Sequence, residues 1–247
     1  MSREVRVAVF RPDDDRLENA VELLDSLGST PVPDPMLAVE PTDATPEDAE
    51  YVVLTSKTGV ELLDESGWTP GESILCCIGS ATADAARDAG WKVDRVPEEY
   101  SSSGLVELLA DEVGNSTVEV ARSDHGSQVL LDGLRDAGAD VHETVLYRLV
   151  RPEGSGKSTE LAAAGDLEAA LFTSSLTVEH FLDAADARGI RDDAIVGLND
   201  AIVGAIGEPT RETAESHGID VDVVPETATF DELACTVVET AAPTYHE

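Results

Sequence analysis

An internal repeat constrains the fold of this chain more than any other feature of its sequence. Residues 74–109 align without a gap to residues 202–237, and 12 of the 36 positions are identical, whereas ordinary composition would give roughly two or three. A second pair of segments, 53–61 and 171–179, also aligns. In a chain of 247 residues, this repeat predicts two similar domains of roughly 120 residues each.

The pattern inside each copy favours an α/β fold. Short apolar runs such as 51–56, 74–79 and 201–207 alternate with amphipathic, helix-like runs. Alternation of strands and helices is typical of parallel sheets that are covered by helices on both faces. We therefore predict two similar parallel-sheet domains of the flavodoxin-like, three-layer type.

The third piece of each copy falls in a different place along the chain. After the first copy comes a β-α-β piece at 117–148, and its best match is the N-terminal segment 5–37, which agrees in length and order although it shares few identities. One domain should therefore be built from both ends of the chain, and two neighbouring crossings should let the domains hinge around a cleft. The predicted divisions are a discontinuous domain 1–36 plus 152–247, a continuous domain 40–149, and linkers at about 31–42 and 146–157.

The charge is unusual for a globular protein. Asp and Glu number 51 against 16 Lys and Arg, which gives a formal net charge of −35. Such a surface repels itself in dilute buffer, and at ~1 M salt the Debye length of about 3 Å screens the repulsion. We interpret the composition as adaptation to the salt-rich cytoplasm of a halophile. It argues against nucleic acid and anionic membranes as partners.

The remaining composition indicates a cytoplasmic protein. No apolar run approaches the length of a membrane span, and the first residues lack the apolar core of a signal peptide. The three cysteines, Cys76, Cys77 and Cys235, are expected to be small buried side chains, and the five histidines are isolated from one another. We predict no metal, no cofactor and a monomeric protein.

The segment 151–161, RPEGSGKSTEL, resembles the end of a phosphate-binding loop. Gly156, Lys157 and Ser158 supply the G-K-S of that motif, but Arg151 stands where its first glycine belongs. Without that glycine the backbone has less freedom to turn its N–H groups onto a phosphate. We interpret the segment as a flexible Gly/Ser linker in the second crossing.

Polar turns of one kind recur between strands and helices. Residues 55–58 and 79–82 follow two predicted strands of the first copy, and 173–175 and 207–210 follow those of the second. Their serines and threonines are first of all candidate helix N-caps. As a set they also favour anion binding, because ligands bind at the carboxyl ends of parallel strands and helix N-termini attract negative charge.

Tyr147 is the candidate for chemistry. It ends the run VHETVLYRLV beside the second crossing, so we expect it near the cleft. A tyrosine hydroxyl can give a proton or a hydrogen bond to a leaving group. The alternative is an amphipathic residue that packs at the hinge.

At this point the sequence resembles the uroporphyrinogen-III synthase family over nearly its whole length. The residues that carry the likeness are VVLTSKTGV, IGSATADAARDAGWKV with VPEEYSSSGLVELL, VLYR, LFTSSLTVEHF, and IGEPTRETAESHGI with VVPETATFDEL. The resemblance implies two α/β domains joined by a two-stranded β linker. It also implies a cofactor-independent lyase that closes hydroxymethylbilane, an octacarboxylate supplied by hydroxymethylbilane synthase, into uroporphyrinogen III with inversion of the last ring and loss of water.

The resemblance assigns the acid role to Tyr147 and carboxylate binding to the polar turns. Arg11 and Arg122, which close corresponding strands, join the binding candidates. The complete set of substrate-binding candidates is Arg11, Thr55, Ser56, Lys57, Ser80, Thr82, Ser101, Ser102, Arg122, Thr173, Ser174, Ser175 and Thr210. Two other functions remain open: a non-enzymatic two-domain module that closes on a small anion, and a nucleotide-using transferase. The latter would need a glycine-rich first turn, which VFRPDDD does not offer.

Overall fold

The computed structural model describes residues 5–242. It divides into two compact units, which we call the split unit and the continuous unit. The split unit comprises the described residues up to Ala38 together with those from Val150 onward, and the continuous unit is Val39–Leu149. The boundaries predicted from the repeat are 36/40 and 149/152. None of the helices within 5–242 is long and apolar enough to cross a membrane.

The elements alternate as the apolar runs predict. The first part of the split unit contains β1 (Arg6–Val9), α1 (Asp15–Ser26) and β2 (Thr30–Pro33). Next along the chain come β3 (Ala38–Pro41), β4 (Tyr51–Leu54), α2 (Lys57–Glu65), β5 (Ile74–Cys77), α3 (Ser80–Asp88), α4 (Ser102–Leu109), β6 (Thr117–Ser123), α5 (Gln128–Asp136) and β7 (Asp140–Val150). The chain continues with α6 (Lys157–Ala163), β8 (Ala169–Phe172), α7 (Ser175–Ala187), α8 (Arg191–Asn199), β9 (Ile202–Ala205), α9 (Glu208–Ser216) and α10 (Phe230–Ala241).

Four strands follow the same order in the two sheets, and β3 is an additional edge strand of the continuous unit. In the split unit the order is β2-β1-β8-β9, and in the continuous unit it is β3-β7-β6-β4-β5. The strand pairs β1–β2, β1–β8 and β8–β9 are parallel, as are β6–β7, β4–β6 and β4–β5. Since β8 and β9 repeat β4 and β5, β1 takes beside β8 the place that β6 takes beside β4. The weak match of the N-terminal segment to 117–148 predicts this arrangement.

Each sheet is covered on both faces. In the continuous unit one apolar cluster packs side chains of α2 and α3 against the sheet, and a second packs those of α4 and α5 on the opposite face. In the split unit α1 and α10 cover one face, and α7, α8 and α9 contribute to the cluster on the other. The prediction of three-layer α/β architecture is confirmed.

The chain passes from one unit to the other inside paired strands. The crossing points, 38/39 and 149/150, fall in β3 and β7, which are neighbours in the sheet of the continuous unit. Thr42 extends this pairing, because its N–H donates to Leu146 O at 3.0 Å and its hydroxyl donates to Val145 O at 2.6 Å. The crossings therefore have the hydrogen bonding of a ladder.

The segment that resembles a phosphate-binding loop is occupied by a carboxylate of the protein itself. Asp34, only 3% exposed, accepts hydrogen bonds from Gly156 N–H and Ser158 N–H, both at 2.8 Å, and from the Ser158 hydroxyl. Gly156 has φ +106°, which turns its N–H toward this carboxylate. The prediction of a flexible linker here is wrong: a buried anion from the first crossing anchors the second, and Lys157 is exposed.

Candidate active site

In the continuous unit, helices begin where parallel strands end. α2 follows β4, α3 follows β5 and α5 follows β6, so their N-termini lie along the carboxyl edge of the sheet. Ser56, Ser101 and Ser127 are the N-caps of α2, α4 and α5, and their hydroxyl oxygens accept from Gly59 N–H, Gly104 N–H and Val129 N–H at 3.0, 2.9 and 3.2 Å. The serines therefore have the capping role that their residue type predicts.

A cavity of about 200 Å³ opens at this edge. Ligand sites for drug-sized molecules usually enclose about 300–1,000 Å³, so this cavity is large enough for only a small chemical group. Its lining residues are Thr55, Ser56, Ile78, Ser102, Arg122, Ser123, Gly126, Ser127, Leu130 and Tyr147. Five predicted site residues thus meet in one place, although they come from four different segments of the chain.

Sequence reasoning missed the turn between β6 and α5. Ser123, Gly126 and Ser127 line the cavity beside the predicted residues. Their segment, SDHGS, even contains a Gly-Ser pair, Gly126-Ser127, directly before α5. Its position directly after a strand and before a helix was the available signal.

A β-bulge turns Tyr147 into this cavity. In the β6–β7 ladder Arg122 pairs with Val145, but Ser123 pairs with Tyr147, so Leu146 is the extra residue on β7. As a result Leu146 and Tyr147 are both buried on the same face, where strict alternation would place them on opposite faces. The Tyr147 side chain is 6% exposed, and its hydroxyl donates to Ser56 Oγ at 2.9 Å.

Arg122 lies almost completely buried in the wall of the cavity, with 2% of its surface exposed. Its Nε donates to Glu143 Oε1 at 2.6 Å, and its Nη1 donates to the Ser127 carbonyl. Within residues 5–242, Nη2 has no hydrogen-bond partner. A Cβ on Gly126 would lie 2.4 Å from Arg122 Cδ, so the absence of a side chain there leaves room for the guanidinium.

Other predicted residues of the continuous unit lie outside the cavity lining. Lys57 is exposed and pairs with Glu61 at 3.2 Å one turn along α2. Ser80 is exposed at the start of α3, and Ser101 serves as the cap of α4. Thr82 is one of the buried residues of α3, at 4% exposure, and its role in binding stays a prediction.

In the split unit the predicted residues are engaged by the protein itself. Ser174 caps α7 in a reciprocal capping box with Thr177, beside Thr173, and the Ser175 hydroxyl donates to Pro209 O at 3.0 Å. The inward face of α9 buries Thr210 at 4% exposure, and its role in binding stays a prediction.

Arg11 lies at the carboxyl end of β1. Its guanidinium packs over the Phe230 ring, 4.7 Å from the centroid. Burial lowers the pKa of Arg11, and the nearby positive charge of Arg16 lowers that pKa further. Arg11 therefore contacts an aromatic ring, whereas Arg122, its counterpart in the continuous unit, contacts a carboxylate.

Fold and site together define a class of protein: two parallel-sheet α/β units, one with a polar cavity lined by hydroxyls and an arginine at its carboxyl edge. A family model described as uroporphyrinogen-III synthase HemD matches residues 18–235. A putative uroporphyrinogen-III synthase from Methanothermobacter thermautotrophicus is 32% identical over 244 residues, which cover 92% of this chain and 95% of the relative.

Two crystal structures share the fold. A mutant uroporphyrinogen III synthase from Thermus thermophilus matches with a TM-score of 0.68 at 22% identity, over 96% of this chain and 98% of the other. The uroporphyrinogen-III synthetase from Helicobacter pylori matches with a TM-score of 0.61 at 15% identity, over 97% and 99%. The chain belongs to the uroporphyrinogen-III synthase family and is an enzyme of tetrapyrrole synthesis. The resemblance read from its sequence is confirmed.

Proposed function

We propose that the chain is a cyclising hydro-lyase that converts hydroxymethylbilane into uroporphyrinogen III. The observation that carries the proposal is the hydrogen bond from Tyr147 to Ser56 inside a cavity that an arginine also lines. This arrangement puts a weak acid next to groups suited to a carboxylate, and the substrate carries eight carboxylates. The last pyrrole ring is inverted during closure, and water is lost.

The reaction requires only a weak general acid. The hydroxyl of the hydroxymethyl group must leave as water, which requires a proton on that oxygen and produces an electrophilic azafulvene. The substituted carbon of the last ring then attacks, the spiro intermediate rearranges, and the proton released from the ring restores the balance. A hydrogen-bonded tyrosine meets the first need, and no metal or cofactor is required.

Ser56 connects Tyr147 to the cavity. Its oxygen accepts from Gly59 N–H at 3.0 Å and from the Tyr147 hydroxyl at 2.9 Å, so both of its lone pairs are used. The Ser56 proton is then free to donate to a group in the cavity. We assign the contact with the departing hydroxyl to this pair, with Tyr147 supplying the acidity.

Positioning supplies the rest of the rate. Hydroxymethylbilane closes spontaneously to the symmetric isomer I, so the enzyme must present the substituted carbon of the last ring in place of the free one. Holding the reacting atoms in near-attack geometry can provide several orders of magnitude. Carboxylate binding at the helix N-termini of the continuous unit is the means available in this chain.

Isomer analysis tests the function. Hydroxymethylbilane is generated enzymatically in molar KCl, the protein is added, and the uroporphyrin isomers are separated after oxidation. We expect isomer III as the main product. Isomer I alone would refute the assignment, and binding without any change in isomer ratio would favour the small-anion binding module.

Exchanging Tyr147 for Phe tests its role in catalysis. Loss of a general acid should lower kcat by about 100-fold or more, whereas loss of packing alone should leave kcat unchanged. Tyr51→Phe is the matched control, because Tyr51 is buried to a similar degree and its hydroxyl reaches Glu112 O, at 3.5 Å, outside the cavity. Equal kcat values for the two variants would show that Tyr147 serves only in packing.

A further inference from the structure

One aromatic side chain of this chain lies largely in solvent. Among residues 5–242, Tyr100 is the only Phe, Tyr or Trp that is exposed, with 62% of its surface accessible. Its hydroxyl has no hydrogen-bond partner among those residues. An aromatic ring left in water forgoes much of the burial of about 150–250 Å² that such a side chain usually gains. The interior of the continuous unit therefore does not account for a tyrosine at this position.

Tyr100 stands at the apex of a tight turn directly before α4. Across it, Ser101 N–H donates to Glu99 O at 2.8 Å, and the Ser101 hydroxyl donates to the Glu99 carboxylate at 2.8 Å. The base of the tyrosine side chain lies against Gly79, the N-cap of α3, where a Cβ would come within 3.1 Å of Tyr100 Cγ. The turn therefore fixes the backbone of Tyr100, and the glycine leaves the space that its side chain takes.

The internal repeat shows that this turn does not need a tyrosine. The aligned turn of the split unit is closed by the N–H of Thr229 and the carbonyl of Thr227 at 2.6 Å. Its apex is Ala228, which takes the place of Tyr100. A Cβ at Gly207, the counterpart glycine, would meet only a proline carbon, at 4.0 Å. The same turn therefore forms with a methyl group at its apex, so the ring of Tyr100 serves something other than the fold.

The exposed ring adjoins the cavity of the continuous unit. Ile78, directly before Gly79, and Ser102, two residues after Tyr100, both line that cavity. Val129 is a second large apolar side chain at this edge: it is 54% exposed in the first turn of α5, next to the lining residues of that helix. Two of the four large hydrophobic side chains that are exposed within residues 5–242 therefore lie beside one cavity.

We propose that Tyr100 binds the face of one pyrrole ring of the substrate, with Val129 as a further apolar contact at the same edge. The inference rests on the proposed function, since the ring is taken to belong to the linear tetrapyrrole. A pyrrole is a flat, electron-rich ring, and aromatic pairs stack with an offset or meet edge to face. Such a contact involves no ionised group, so neither the net charge of −35 nor molar salt weakens it. The substrate is thus recognised by its rings as well as by its carboxylates.

Substitutions at Tyr100 separate the aromatic face from the hydroxyl. Tyr100→Leu keeps an apolar side chain but removes the face, and we expect KM for hydroxymethylbilane in molar KCl to rise about tenfold. The kcat and the unfolding temperature should stay near those of wild type, because the side chain is exposed and the contact is present before the reaction as well as during it. Tyr100→Phe keeps the face and should retain the wild-type KM.

Val196→Ala is the matched control. Val196 is also 62% exposed, but it lies on α8 of the split unit, so its truncation should leave KM unchanged. A KM raised in Tyr100→Phe as much as in Tyr100→Leu would assign the effect to the hydroxyl and overturn the ring contact. A wild-type KM for Tyr100→Leu, in a protein that produces isomer III, would also overturn it and would leave the function standing.

NMR of the full chain, labelled on its tyrosine rings, detects the contact without turnover. The signals of Tyr100 are those that are missing from Tyr100→Phe. Porphobilinogen, a single pyrrole with one acetate and one propionate, should shift these signals upfield and saturably in molar KCl, whereas adipate, a dicarboxylate without a ring, should not. An equal response to both probes, or a response to neither, would overturn the ring contact. Isomer I alone from the wild type would overturn the function, and the porphobilinogen titration would still decide the contact.

Discussion

The carboxylate of Asp34 offers the sharpest test of how the split unit is held together. It is 3% exposed and accepts three hydrogen bonds, from Gly156 N–H, Ser158 N–H and the Ser158 hydroxyl. All three donors converge on a group that only accepts. In Asp34→Asn an NH₂ group replaces one of the oxygens, so at least one donor then faces another donor.

The cost follows from the number of bonds lost. A hydrogen bond to a charged group contributes about 1.5–3 kcal/mol. If the NH₂ group of Asp34→Asn takes the place of Oδ1, the Gly156 bond is lost and each of the other two falls to about 0.5–1.5 kcal/mol, the value of a neutral bond, for a total of about 3.5–6 kcal/mol. Asp34→Ala loses all three and should cost about 4.5–9 kcal/mol. Since a domain is stable by only about 5–15 kcal/mol, both changes are large.

Urea denaturation in molar KCl measures the effect while the ionic strength stays fixed. Far-UV circular dichroism reports both units, whereas the two tryptophans, Trp68 and Trp91, both lie in the continuous unit. We expect Asp34→Asn to lower the midpoint seen by circular dichroism more than the midpoint seen by tryptophan fluorescence. Asp88→Asn, which removes the same charge from an exposed position, is the control and should stay within about 0.5 kcal/mol of wild type. A value for Asp34→Asn inside that same margin would refute the anchor.

Three further outcomes are expected. Burial raises the pKa of Glu119, although a hydrogen bond from Thr144 opposes the shift. The folded state therefore binds the proton of Glu119 more tightly than the unfolded state does. As a result, the stability of the protein declines as pH rises from the ordinary glutamate pKa through the raised one. Thermal unfolding should therefore show Glu119→Gln equal to wild type in acid and more stable at neutral pH, and the opposite order would contradict the buried geometry. Gly126→Ala should displace Arg122 and raise KM, because the new Cβ would lie 2.4 Å from Arg122 Cδ; an unchanged KM would mean that the turn adjusts freely. At about 0.05 M salt the chain, with its net charge of −35, should lose stability and activity relative to molar KCl. Full activity at the low salt concentration would contradict the interpretation of its charge as an adaptation to salt.

Much of the architecture could be predicted because it is repeated. Alignment of 74–109 with 202–237 carries two strands and their helices, and parallel α/β packing leaves few ways to add the third piece. The N-terminal strand β1 then takes the place that corresponds to β6 even though the two share few identities. Order and length were sufficient here, since the burial of a central strand requires only that its residues be apolar.

The contacts that build the site could not be read in the same way. Tyr147 and Ser56 are 91 residues apart, and Asp34 and Gly156 are 122 apart. Nothing local in either segment specifies the other. The β-bulge at Leu146 is a further case, because a plain alternation of faces along β7 would direct Leu146 and Tyr147 to opposite faces of the sheet. Residue type predicted that Tyr147 could act as an acid, and only the register of the strand places its hydroxyl on Ser56.

The distribution of charge along the helices could not be predicted from the composition alone. A net charge of −35 describes the whole surface and argues against nucleic acid and anionic membranes as partners. Helix N-termini differ from the rest of the surface, because a backbone N-terminus and a buried guanidinium act over a few ångströms, within a Debye length even in strong salt. An acid in such a first turn would compete directly with the carboxylates that we propose bind there, whereas acids elsewhere on the surface are screened. The first turns of α2 to α5 contain no acid, and neither does that of α7, the repeat of α2, whereas α9, the repeat of α3, begins with Glu208. This pattern cannot be read from the composition, because it depends on which residues begin each helix.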